Sequence, residues 1–349
     1  FRNRLNFSGD FYIRDTKDML TDMKALPATY GAKLPKGNFA DLRTKGYELT
    51  LAWRDNFKVA NKPFSYSVSL LFSDYYTVIT KYDNPDKSLA MAHYEGKRWG
   101  EMWGLRTNGY FLSDDEARNW HIDQSSVNGI INASAGAEKG LRAGDIKFVD
   151  LDDNNIISKG KNTVDDPGDY RIIGNSEPRY NYGVNLGAAW NGIDFALFIQ
   201  GVGKRDWYPG VNNTTFWGPY ARPYVTYIPK DFHLDIWSED NPDAYYPRPR
   251  GYVALQGSDR ELAVKNDKYL QNIGYCRLKN LTVGYTLPYS LTSKVMIEKL
   301  RVYFSGENLL TLTKLRSDYI DPEQATATSS QSKSYPYQKM FVFGIDINF

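Results

Sequence analysis

About eight stretches of the chain alternate apolar and polar side chains with a period of two, the signature of strands with one greasy and one wet face. Leu5, Phe7, Phe11 and Ile13 alternate with Asn6, Ser8, Asp10, Tyr12 and Arg14, and Tyr47, Leu49, Leu51 and Trp53 with Glu48, Thr50, Ala52 and Arg54. Phe64, Tyr66, Val68, Leu70 and Phe72 alternate with Ser65, Ser67, Ser69 and Ser73. Val184, Leu186 and Trp190 precede an Asn191-Gly192 turn, after which Phe195, Leu197 and Ile199 recur. Leu281, Val283, Tyr285 and Leu287, then Leu300, Val302 and Phe304, and last Phe341, Phe343, Ile345, Ile347 and Phe349 complete the set. Any one of these patterns also suits a one-sided antiparallel sheet in a soluble protein.

Connection lengths separate the two cases. The links at 55–62, 191–193 and 288–299 are short, whereas 16–42, 81–179, 203–272 and 309–336 are long. Long and short strictly alternate, and every short one falls on the side of the last residue. Outer-membrane barrels have this asymmetry, with short periplasmic turns and longer external loops. In hydrocarbon every backbone donor and acceptor needs a partner, so a sheet spans only when it closes. The expected fold is therefore all-β, a transmembrane antiparallel β-barrel. Loops of this total size overload an eight-stranded barrel, so the chain is read as the last third or so of a larger one. The alternative is a soluble extracellular β-sandwich acting as a carbohydrate-binding module.

Composition agrees. No apolar run approaches the roughly 18–20 residues of a membrane helix, and an aromatic content of 15% in 349 residues is too high for disorder. Forty-three Lys and Arg against 41 Asp and Glu leave a net charge of +2, with no basic excess for a nucleic acid. The one cysteine, Cys276, makes no internal disulfide. The chain opens Phe1-Arg2-Asn3 without Met or signal segment, and is expected to be a fragment whose upstream part is missing.

Several segments, taken in order, form a distinctive series. They are Asn38-Phe-Ala-Asp-Leu-Arg-Thr-Lys-Gly-Tyr-Glu-Leu49, Glu95-Gly-Lys-Arg-Trp-Gly100 with Trp103-Gly104, and Thr107-Asn-Gly-Tyr-Phe111. Next come Gly144-Asp-Ile-Lys-Phe-Val-Asp-Leu-Asp152, Arg171-Ile-Ile-Gly-Asn-Ser-Glu-Pro178, Tyr182-Gly-Val-Asn-Leu186 and Phe198-Ile-Gln-Gly-Val-Gly203. Arg277-Leu-Lys-Asn-Leu-Thr-Val-Gly-Tyr-Thr-Leu-Pro288, Ser305-Gly-Glu-Asn-Leu-Leu310, Asp321-Pro-Glu323 and the Phe-ending strand complete the series. The ordered set resembles the C-terminal region of SusC/RagA-type TonB-dependent transporters of the Bacteroidetes outer membrane. The resemblance implies a barrel of about 22 strands, of which residues 1–349 form the C-terminal part, with the plug domain and the TonB-contact segment absent from this chain. It further implies a SusD-like surface lipoprotein as lid, energy from TonB-ExbB-ExbD through the missing part, and uptake of oligosaccharides or peptides. The expected partners also include the lipid bilayer, the rest of the same barrel and the outer-membrane assembly machinery, which would read Phe349 as its signal.

Candidate sites follow from chemistry. Trp207, Tyr208, Trp217, Tyr220, Tyr224 and Tyr227 crowd one external loop, and Trp99, Trp103 and Trp120 lie in the other. Flat rings stack on sugars while nearby polar groups pair with hydroxyls; the competing reading is that they pack the loops on themselves or on the lid. Asp150, Asp152 and Asn154 place oxygens like the first ligands of an EF-hand loop, but Asn155 stands where its glycine would, and Lys161 where its glutamate would. A Ca2+ site there competes with an Asx-rich turn; otherwise no cofactor is expected. His93, His121 and His233 show no ligand spacing, and no carboxylate pair stands out from the many loop acids as a catalytic pair, so no enzyme is expected.

Overall fold

The computed structural model describes residues 2–22, 36–127, 140–221, 228–250, 255, 260–325 and 335–349. One eight-stranded sheet organises the chain: β1 (Leu5–Asp22), β2 (Lys36–Val59), β3 (Lys62–Lys81), β4 (Arg179–Trp190), β5 (Ile193–Lys204), β6 (Tyr275–Thr286), β7 (Lys299–Thr313) and β8 (Met340–Asn348). Spatial order equals chain order and each neighbour is antiparallel, an up-and-down meander. All eight expected strands are present.

The first short connection is tighter than expected, and the second is the tight turn expected. Ala60-Asn61 joins β2 to β3 with φ of 49° and 62°, and Asn191-Gly192 joins β4 to β5 with φ of 50° and 86°. Both central residues lie at positive φ, as the hairpin turn matching strand twist requires. Gly192 has a second reason: a Cβ there would stand 2.6 Å from the Thr286 carbonyl oxygen. The third short link carries the one-turn helix Tyr289–Thr292 and the 3-10 turn Ser293–Val295. All long connections leave from the opposite end, so the strict alternation holds.

Register shows how the sheet can face two solvents. Phe7, Leu51, Leu70, Val184, Ile199, Leu278 and Leu310 form one apolar row across seven strands. The other face reads Ser67, Gly187, Ala196, Thr282 and Ser305. Both hydrophobic clusters lie outside the apolar rows. Phe11 and Phe343 are each 81% exposed, and Leu51, Leu70, Leu310, Phe341 and Ile345 are also bare. A water-soluble domain rarely leaves so long an apolar surface open; a lipid-facing wall requires it. The two-layer sandwich is not formed, since among the described residues no second sheet packs on the first.

Loop segments pack on the upper part of the polar face, whereas Ser67 and Ala196 stay exposed. Thr44 and Thr77 share a 2.8 Å hydrogen bond on that face, with Ile79 fully buried beside them. Below, Arg301 reaches across strands to Asp194 at 2.7 Å and to Asp346 at 3.0 Å. Where β8 lacks a side chain at Gly344, the ring of its partner Tyr303 fills the space, and a Cβ would meet that ring at 2.3 Å.

One expectation is corrected. The long loop read at 16–42 is largely strand: β1 continues to Asp22 and β2 begins at Lys36. The greasy alternation stops while the hydrogen-bond ladder continues, because a strand that has left hydrocarbon needs its ladder but no apolar face. The rim is consequently uneven, with β2 and β3 at 24 and 20 residues and β4, β5 and β6 at 12 each.

Candidate functional site

The two largest connections, 82–178 and 205–274, fold against each other into one body above the low part of the rim. Short strand pairs frame it: Glu101–Gly104 with Arg171–Asn175, Thr107–Tyr110 with Ile146–Phe148, and Asp206–Trp207 with Gln271–Asn272. Its core is the main hydrophobic cluster of the chain and is strongly aromatic, including Phe216, Trp217, Tyr220, Tyr246 and Tyr269. Asn213 caps the helical turn Thr214–Trp217 by accepting from the Phe216 N–H at 3.0 Å, which aims Phe216 and Trp217 inward. Phenol groups sunk in the core find carbonyls. Tyr110 donates to Tyr245 at 2.6 Å, and Tyr220 to Pro247 at 2.5 Å. Asp145, from the Gly144-Asp motif, receives the guanidinium of Arg250 at 2.9 and 2.6 Å and so ties one loop to the other. Burial pushes the phenols of Tyr208 and Tyr269 well above their ordinary value, and that of Tyr245 up to about 12.

The structure therefore splits the aromatic candidates. Trp217 and Tyr220 are sealed, at 0% and 1% exposure, and offer no ring face to a ligand in this conformation; they pack the loop, the competing reading of the sequence. Tyr224 and Tyr227 lie outside the described residues. Trp120 is half-buried in the other loop, edge-on to Phe111 at 5.3 Å and away from the Trp217 cluster. Trp103 donates to Glu101 at 2.7 Å. Trp207 and Tyr208, by contrast, line a cleft of about 570 Å³ with Trp99, whose ring stacks on His93 at 5.0 Å.

This cleft lies between the two loops, above the ends of β3, β4 and β5. Gly96, Lys97 and Trp99 are hydrogen-bonded to the upper end of β3, through Ile79 and Thr77. Lys97, Arg205 and Lys265 bring cations to it and Glu101 and Asp206 anions. Burial lowers the pKa of Lys265, and burial outweighs nearby Glu101 in lowering that of Lys97. No sequence pattern announces this set, since its lysines stand 168 positions apart (265 − 97) and only the fold joins them.

A second constellation joins two of the quoted motifs. Arg277 of β6 is buried and donates to Thr311 and to Asp321, each at 2.8 Å, while Glu323 approaches it at 3.3 Å. Lys279, beside the bulge that shifts the register between Leu278 and Asn280, donates to Glu323 at 2.9 Å. Tyr337 covers both cations, 5.2 Å from the Arg277 guanidinium and 4.7 Å from the Lys279 ammonium. The Arg277-Leu-Lys279 and Asp321-Pro-Glu323 segments thus form one ionic lock that draws the last connection onto the polar face.

The acidic segment forms the turn that competed with Ca2+. Asp150 accepts the N–H groups of Asn154 at 3.3 Å and Asn155 at 2.7 Å, and Asn154 turns to the N–H of Ile156 at 2.7 Å. Asp150 and Asp152 come together with buried Asp169, their oxygens within 4.8 Å of one another. Asp169 is itself held by the N–H groups of Leu151 and Ser158. Phe349 stands one residue beyond β8 and is exposed. Cys276 is half-buried on β6.

No family model matches the chain. Two curated relatives align with all of it, both from Formosa agariphila. TonB-dependent receptor P3 is 27% identical over 376 aligned positions, and TonB-dependent receptor P39 is 24% identical over 377. The chain spans 33% and 34% of their lengths, about a third of each. Among solved structures, the RagAB peptide importer in its open-open state superposes over the whole chain with a TM-score of 0.66 at 22% identity, and the RagAB peptide transporter with 0.64 at 21%. Those superpositions take in 33% and 34% of the neighbouring chains and speak for the fold. The resemblance read from the ordered motifs is borne out, in sequence relatives along the full chain and in fold, as that of a SusC/RagA-type TonB-dependent transporter.

Proposed function

We propose that the chain supplies wall and external loops to an outer-membrane importer of nutrients, oligosaccharides or peptides, driven through TonB-ExbB-ExbD and fed by a SusD-like surface lipoprotein. The observation that carries this reading is the apolar row from Phe7 to Leu310, in which Phe7, Leu51, Leu70 and Leu310 are bare, on the reverse of a polar face. Such a sheet is stable where hydrocarbon wets one side and water or protein the other. Both edges, β1 and β8, take a partner strand on one side only, and the remaining strands of the same barrel complete them. The body above the rim forms the upper vestibule, and its cleft receives the cargo. The structural neighbours are a peptide importer and a peptide transporter, which supports a peptide as readily as the aromatic cleft supports a sugar.

The test is made on the full-length parent protein in its own cells. It should fractionate with the outer membrane, require detergent for extraction, and run faster on a gel before heating than after. Growth on a peptide or glycan as sole nutrient should then fail on deletion. A full-length protein recovered folded from plain buffer would defeat the reading.

A further inference from the structure

We propose that the cleft between the two large loops receives an anionic ligand group, with a carboxylate seated between Lys97 and Lys265 and the attached skeleton against Trp99 and Trp207. The inference deepens the import reading and rests on it. It starts from a charge imbalance in a confined space. The two carboxylates of the cleft are already engaged: Glu101 accepts from Trp103 and from the Tyr94 hydroxyl, and Asp206 accepts the Asn175 N–H at 2.9 Å and faces Lys204. The lysines are not so matched. Lys97 donates to the Ala92 carbonyl at 2.8 Å, and among the described residues neither it nor Lys265 forms an ion pair. They stand near enough for Lys265 to disfavour the charge on Lys97.

Two like charges on a half-enclosed wall cost free energy that an incoming anion removes. The setting suits a ligand of a few residues or sugar units, since 570 Å³ falls in the ordinary range for small-molecule sites. Trp99, held flat by the His93 stack, and Trp207 supply apolar surface beside the cations. A carboxylate is the anion that a peptide end and an acidic sugar share.

The test uses the full-length transporter in detergent with four probes: N-acetyl-tetraalanine, its C-terminal amide, trigalacturonate and its methyl ester. Titration calorimetry should show one acid probe binding at least about tenfold more tightly than its neutral counterpart, with that advantage shrinking as salt rises. The acid that shows it identifies the source as peptide or sugar. K265M should abolish the advantage without disturbing heat-modifiable migration, since the residue lies outside the eight-stranded sheet; K97M should do the same. Equal binding of acid and neutral forms, binding of no probe, or an advantage that survives both substitutions would overturn the proposal. Two failures remain distinguishable: wild-type protein absent from the outer membrane defeats the import reading, whereas protein in place without acid preference defeats the cleft alone.

Discussion

Replacing Trp217 by alanine should open the loop body and leave the barrel standing. The ring is fully buried, with Phe216 at 4.9 Å, Tyr269 at 5.2 Å and Tyr208 at 6.3 Å, and its N–H reaches the Gly210 carbonyl at 3.1 Å. Deleting a buried Trp costs about 3–5 kcal/mol when the cavity cannot collapse, and flat aromatic neighbours collapse poorly. Because the Trp217 cluster contains no residue of the eight-stranded sheet, the cost falls on local opening of the loops. At about 1.4 kcal/mol per tenfold, a loss of about 4 kcal/mol raises the open population about a thousandfold. Native-state proteolysis of the full-length protein in micelles measures it. Cuts should multiply within 82–178 and 205–274, while heat-modifiable migration stays that of the wild type. Unchanged cutting would mean that Trp217 is not a keystone of the loop body. Lost migration would mean that loops and wall are one cooperative unit, and either result refutes the reasoning.

Three further outcomes are expected. Asp321→Ala removes one of the two carboxylates facing buried Arg277, leaving Glu323, and should cost about 1.5–3 kcal/mol, read as faster amide exchange over 314–325, whereas Asp235→Ala removes an exposed pair with Arg316 and should change little. Gly344→Val forces Tyr303 off β8 and should weaken assembly by about 1–3 kcal/mol, seen as a smaller heat-modifiable fraction, whereas Gly210→Ala enters open space and should be neutral. For alkaline pH the sign follows from the raised phenols of Tyr208, Tyr245 and Tyr269: their contribution is fully present below the unfolded value of about 10 and is lost as pH rises toward the folded ones. Phenolate absorbance from these rings should therefore appear above pH 10 together with loop opening, and its appearance in an intact loop body would contradict the assigned burial.

The sheet was readable because a strand with two unlike faces imposes a rule on every second residue, as from Phe64 to Phe72 and from Phe341 to Phe349, and the alternating connection lengths set the lipid-facing case apart. Beyond hydrocarbon the rule lapses, which is why β1 and β2 outran their greasy segments, through Thr16, Lys17 and Lys36, unseen. The loops were legible only as aromatic wealth. Whether a ring stacks on ligand or on protein depends on contacts between 82–178 and 205–274, so composition could not tell Trp217 from Trp207. Lys97 and Lys265 carried no local signal, because nothing in their flanking residues anticipates the other. Arg277 and Asp321 were noted as separate motifs, and only the return of the last connection shows that they are one object.

The stepped rim sets how the loop body is held. Twenty-four residues of β2, at about 3.3 Å each, run to about 80 Å, and even at a tilt of 40° reach about 60 Å in height, against a lipid band of about 25 Å. Its neighbour β3, 20 residues long, holds Gly96, Lys97 and Trp99 by backbone hydrogen bonds at Ile79 and Thr77, so that flank is a fixed backrest. The loop body is thus gripped from the side along β3 and from beneath by β4, β5 and β6, which run straight into it.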